Sequence, residues 1–102
     1  MTARITKIDL TIVGNSTRQP KAYDFMERVL CGYCRKGIIY QSFGNYWEDK
    51  NERRFNEDEI EDLEFDLAKT TARLLRIVFK KEAKVRCDLE RGCVYITETI
   101  EA

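Results

Sequence analysis

Apolar residues recur along this chain with two different periods, and the changes of period mark its elements. The longest helical stretch runs from about Asn56 to about Lys80. Ile60, Leu63, Leu67, Thr70, Thr71, Leu74 and Val78 fall at helical spacings and form its expected buried face. Leu75 lies at the margin of that face, and Phe65 lies on the opposite side among charges. Asn56 is a strong N-cap residue, and Glu59 three residues on completes a capping box. Phe55 and Ile60 are spaced for a hydrophobic staple across that cap. Glu57, Asp58, Glu59, Glu61, Asp62, Glu64 and Asp66 fill the first half, and Lys69, Arg73, Arg76, Lys80 and Lys81 the second. The helix macrodipole favours that order. Ile77-Val78-Phe79 suits a strand as well as a helix, so the end of the element stays open.

The other elements follow from shorter patterns. Ile8 to Val13 alternates apolar and polar residues and predicts a strand with Ile8, Leu10 and Ile12 inward. The run Gly14-Asn15-Ser16-Thr17-Arg18-Gln19 breaks it, and Pro20 suits the first turn of a helix. That helix reaches about Lys36 and buries Ala22, Met26, Val29, Leu30 and Tyr33, with Tyr23 and Phe25 at the edges. Gly37 stops it. Ile38 to Phe43 predicts a second strand, Gly44-Asn45 a two-residue turn, and Tyr46-Trp47 the start of a return strand. Glu48 to Arg54 reads as a charged loop. Lys84 to Leu89 and Cys93 to Thr97 predict two strands around Glu90-Arg91-Gly92.

This order predicts an α+β fold. Two amphipathic helices would pack on one face of a mostly antiparallel sheet of four or five strands, burying both apolar stripes at once. The arrangement is close to a ferredoxin-like split β-α-β unit with an added C-terminal strand. That architecture hosts many unrelated functions and transfers none. Neither candidate strand carries the aromatic–glycine signature of the ferredoxin-like RNA-binding domain.

The 102 residues suggest one domain spanning 1–102. Formal net charge is zero, which argues against a general nucleic-acid or membrane-surface binder. No apolar run is long enough to span a bilayer, and the first residues lack the apolar core of a signal peptide, so a cytoplasmic location is expected. The chain has no histidine, which removes the commonest general base and metal ligand.

Three stretches are candidates for chemistry. Cys31 and Cys34 form a CxxC, and Cys87 and Cys93 flank the last turn. Four thiolates would make a closed zinc site, but the Cys87–Cys93 spacing is too long for a second zinc knuckle. Cys31 and Cys34 also fall at a helix C-terminus, where the dipole has the wrong sign for a reactive thiolate. Structural thiols, with Cys87 and Cys93 as cross-strand neighbours, are the plainer expectation, and no cofactor is expected. The second stretch is the turn formed by Asn15, Ser16, Thr17 and Arg18 with Lys21 beyond it, which offers helix N–H groups and cations to an anion. It lacks the GxxxxGK[ST] and GxGxxG spacings. The third is the aromatic run Tyr40, Phe43, Tyr46 and Trp47, followed by Arg53 and Arg54. Aromatic residues with arginine suit base stacking or a protein hot spot. Trp47, beside the charged loop, is the member expected to keep some exposure.

No catalytic set emerges, and the carboxylates of the long helix lie on its solvated face with nothing to raise a pKa. The expected function is therefore a small non-enzymatic binding module. It would be an accessory inhibitor or sequestering protein of viral or prophage type, acting stoichiometrically on a host protein or on a small anionic nucleotide. The alternative is a zinc-stabilised domain contacting nucleic acid or protein. Phe65 has no role in a monomer, so a homodimer is expected.

Overall fold

The chain begins with a strand that ends where a side chain folds back on its own backbone. In the computed structural model, which describes residues 2–14 and 20–100, β1 spans Thr2–Asp9 and a short 3-10 turn, Leu10–Ile12, follows it. The Asp9 carboxylate accepts from the Thr11 backbone N–H at 2.9 Å and from the Thr11 hydroxyl at 2.6 Å. That local bond competes with the ladder and ends the strand well before Val13. Ile8 and Leu10 are buried as their alternation predicts, whereas Ile12 is turned out.

The remaining elements are α1 (Pro20–Arg35), β2 (Ile38–Gln41), β3 (Tyr46–Asp49), α2 (Glu57–Phe79), β4 (Ala83–Asp88) and β5 (Cys93–Ile100). α1 ends at a Gly37 whose φ of +84° suits its lack of a Cβ. The predicted capping box of α2 is present in both directions, between Asn56 and Glu59. Ile77, Val78 and Phe79 are helical, which settles the open end, and Lys80 closes the helix in the left-handed conformation.

The five strands form two sheets, not one. β5 lies between β1 and β4 in a three-stranded antiparallel sheet, and β2 pairs with β3 as a separate hairpin. The α+β class with antiparallel pairing therefore stands, but the ferredoxin-like strand order does not describe it. Two connections explain the difference. The tight turn after β4 returns β5 along its flank, and β5 then has its other edge free for β1. The hairpin strands have four residues each and dock by side chains, described below.

Each helix lies chiefly against a different sheet, α2 along β4 and α1 along β2. The helices also touch one another and run antiparallel. Phe25 meets Phe79 edge-on at 5.5 Å, and the Tyr33 hydroxyl donates to Asp66 and lies 3.2 Å from the Thr70 hydroxyl, which is free to donate to it. Ile8, Met26, Leu67 and Val94 are the fully buried centre of the core. The buried row of α2 is Leu63, Leu67, Thr71 and Leu75, at steps of four. A row of that spacing slants across the helix. It carries Leu75 inward (7% exposed) and leaves Val78 out at 56%, reversing the expectation for both.

Candidate functional site

The β2–β3 hairpin divides its aromatic residues between two faces. Tyr40 is opposite Trp47 in the register, so both point to one side, and their ring centres are 4.9 Å apart. Trp47 is 2% exposed and belongs to the core, contrary to its expected exposure. The charged residues beside it are satisfied locally. Glu48 accepts from Gln41 at 2.6 Å, and Asp49 accepts from the Arg53 backbone and guanidinium. Tyr40 is half-buried, and burial, aided by Asp9 and Cys93, pushes its pKa up to about 12.

The tip is held from below. Asn45 adopts a φ of +48°, which closes a four-residue turn in place of the expected two-residue one. Its side-chain oxygen accepts from the Tyr40 hydroxyl at 2.7 Å, and its amide donates to the Glu90 carbonyl at 3.0 Å. The hairpin is thereby clamped to the β4–β5 turn. Gly92 permits the close approach, because a Cβ there would lie 2.6 Å from the Asn45 oxygen.

Above this anchor the second aromatic set faces solvent. Phe43 is 84% exposed and meets the Tyr46 ring edge-on at 5.8 Å. The Arg54 guanidinium lies 3.9 Å above the Tyr46 ring, a cation–π stack, and forms no ion pair among the described residues. Its neighbour Arg53 has the opposite fate. It binds Glu59 through both terminal nitrogens at 2.9 and 2.7 Å and reaches Asp49 at 3.1 Å. Arg53 holds the Glu59 carboxyl down at about 2, and its own pKa is raised. Of the aromatic–arginine set, the structure thus brings together Phe43, Tyr46 and Arg54. Tyr40 and Trp47 serve the core, and Arg53 ties the loop to the start of α2.

The expected anion turn is described only at its two ends. Asn15, Ser16, Thr17 and Arg18 lie outside the described residues. Lys21 is exposed on the first turn of α1, and a side chain at Gly14 would meet the Glu27 carboxylate at 3.9 Å, which brings negative charge to one end of the turn.

The four cysteines do not converge. Cys31 and Cys34 are exposed on α1, Cys87 is partly buried and Cys93 is buried. Cys93 is opposite Asp88, while Cys87 is opposite Val94, so the two thiols project to different faces of the sheet. They are not the cross-strand pair expected. Burial, then Glu64, pushes the Cys87 thiol up to about 12, which opposes the thiolate a metal requires. Among the described residues no group of three or more Cys, Asp or Glu is placed to hold a metal ion. The four-thiolate zinc arrangement is therefore not formed.

One surface was not singled out from the sequence. Lys69, Arg73 and Arg76 of α2, with Lys81 and Glu82 from the link into β4, line an open cleft of about 280 Å³. Its signal in the sequence is a set of cations spaced three and four apart, a pattern that the macrodipole explains only in the last turn. Among the described residues no helix is long and apolar enough to cross a membrane. No protein-family model, no curated protein and no solved structure matches the chain.

Proposed function

We propose that this protein is a small non-enzymatic binding module that docks on a protein partner through the tip of its β2–β3 hairpin. The observation that supports this reading is the exposure of Phe43 on an anchored turn. A side chain presented by a fixed backbone loses little conformational freedom on binding, so more of its burial is kept as affinity. Tyr46 and Arg54 beside it are of the types that dominate interface hot spots. The tip carries π faces and one guanidinium, groups suited to recognition and not to turnover. A module of this kind acts as an accessory inhibitor or sequestering protein, one copy per target, in the cytoplasm of a host. A small anionic nucleotide is the weaker ligand, because Trp47, Tyr40 and Arg53 are already engaged elsewhere.

The test uses the purified chain as bait in a lysate of its natural host, beside a Phe43→Ser/Arg54→Ala variant of unchanged circular dichroism. The wild type should retain a protein in roughly one-to-one ratio, and the variant should retain about tenfold less of it. Equal retention by both chains would remove the tip from the interface. Nucleotide binding that titrates calorimetrically and is lost in Arg54→Ala would replace the protein partner with the smaller ligand.

A further inference from the structure

The outer face of α2 has a charge pattern that its own chain leaves unanswered. Directly across the helix from the buried row lie Glu61, Phe65, Lys69, Arg73 and Ile77, all exposed. Asp58, Asp62, Ala72 and Arg76 flank them at helical spacing and widen the stripe. Every charge N-terminal to Phe65 in this stripe is negative, and every charge C-terminal to it is positive. The macrodipole accounts for the first and last turns only. Glu61, Asp62, Lys69 and Arg73 lie inside those limits. Within the helix the arrangement is unfavourable, because Asp58–Asp62 and Lys69–Arg73 are like charges four residues apart. Among the described residues none of Asp58, Glu61, Asp62, Lys69, Arg73 and Arg76 forms an ion pair.

We infer that this face of α2 pairs antiparallel with the same face of a second copy of the chain. A two-fold axis crossing the helix near Leu67 sets Glu61 opposite Arg73, Asp58 opposite Arg76 and Phe65 opposite Lys69, each pair occurring twice. The acidic half of each helix then lies over the basic cleft of the other. Phe65, 74% exposed in the single chain, packs on the Lys69 stem and under its ammonium, and Ala72 leaves room for close helix approach. A parallel pairing would set acid on acid and base on base. The stripe from Asp58 to Arg76 is about 27 Å long at 1.5 Å per residue, enough for a seam of several turns. This pairing uses no residue of the hairpin tip.

The test is a charge swap read by analytical ultracentrifugation between ~1 µM and ~1 mM, a range that brackets micromolar association. The wild type should dimerise, less tightly as salt is raised. Glu61→Arg alone and Arg73→Glu alone should each weaken self-association by at least about tenfold, because each sets like charges together twice. An equimolar mixture of these two chains should form a heterodimer, and the double variant in one chain should dimerise again. Circular dichroism confirms that each variant folds. A wild type that stays monomeric at the highest concentration overturns the pairing, as does a dimer indifferent to both reversals. In either case, binding of a labelled oligonucleotide that is lost in Arg73→Glu would assign the cleft to nucleic acid.

Discussion

Phe43 and Phe65 are the two most exposed large apolar side chains among the described residues, and they differ in everything around them. Phe43 sits on a turn fixed by Asn45, beside an aromatic ring and a stacked guanidinium. Phe65 sits about two turns into α2, between a block of carboxylates and a block of cations. The first setting has no internal symmetry and asks for a different molecule. The second is self-complementary and asks for a copy of itself. Exposure of an aromatic residue marks a surface, and the pattern of charge around it says what kind of partner fits.

The largest expected effect separates the inside of the hairpin from its outside. Trp47→Ala should cost about 3–5 kcal/mol, because the indole is fully buried against Tyr40 and its removal leaves a cavity. Phe43→Ala, four residues away, should change stability by less than about 0.5 kcal/mol. Urea denaturation of both variants measures the pair. A comparable loss for Phe43→Ala would mean that the tip is part of the core and not a presented surface.

Much of α2 was legible because its signals are local. Asn56 and Glu59 are three residues apart, and each supplies what the other lacks. The start of the helix follows from chemistry within one turn. The helical wheel misplaces Leu75 and Val78 because the slant of the buried row follows the sheet it crosses, which the wheel does not contain. The division into two sheets was hidden for the same reason, since β1 and β5 meet across nearly the whole chain. The neighbours of Trp47 disguise its burial. Glu48-Asp49-Lys50 looks like a solvated run, but Glu48 and Asp49 are satisfied by Gln41 and Arg53. Arg53 and Arg54 are indistinguishable as letters, and only the loop geometry assigns one to Glu59 and the other to Tyr46. The charge order of α2 is visible in the sequence, but the macrodipole explains only one turn of it at each end.

Tyr33 and Tyr40 place one phenol in each region, Tyr33 buried on α1 against α2 and Tyr40 half-buried within the hairpin. Burial is the main cause in both and carries each from 10.0 up to about 12, with Asp66 adding to it at Tyr33 and Asp9 at Tyr40. The folded protein thus favours the neutral phenol. That contribution is whole below pH 10 and is lost as pH rises through about 12. Ultraviolet titration should show two tyrosines ionising late, together with unfolding, and Tyr33→Phe should remove one of them. Tyr33→Phe also deletes the bond to Asp66 and should cost about 1.5 kcal/mol at neutral pH. Late ionisation that survived without any loss of stability would uncouple the phenols from the fold.

A smaller effect of opposite sign is expected on the inner face of α2. Thr71 is fully buried, and among the described residues its hydroxyl has no hydrogen-bond partner. Thr71→Val keeps the shape and removes the unpaired group, so it should stabilise the chain by about 1 kcal/mol. The outer face is untouched by that change. Thermal denaturation should move upward while self-association stays as it was.

The smallest effect concerns a clamp that joins the two regions. Arg53 binds Asp49 at the end of the hairpin and Glu59 at the start of α2. Hydrogen bonding to Arg53, then to the Asn56 backbone, lowers Glu59 from 4.5 to about 2, and the Arg53 backbone N–H is the main cause that lowers Asp49. A lowered carboxylate contributes stability that is whole above pH 4.5 and is lost as pH falls through about 2. These groups are exposed, so the global stability should barely move. What should change is local. Amide exchange of residues 49 to 59 should accelerate between pH 4.5 and 2 beyond the intrinsic trend, and Glu59→Gln should reproduce the acceleration at neutral pH. Because Phe43 is anchored through Asn45 and Phe65 lies two turns into the helix, both surfaces should persist when the clamp opens. If Glu59→Gln abolished either partner binding at the tip or pairing along α2, the two surfaces would be coupled through Arg53, and the contrast between them would have to be redrawn as one interface with two ends.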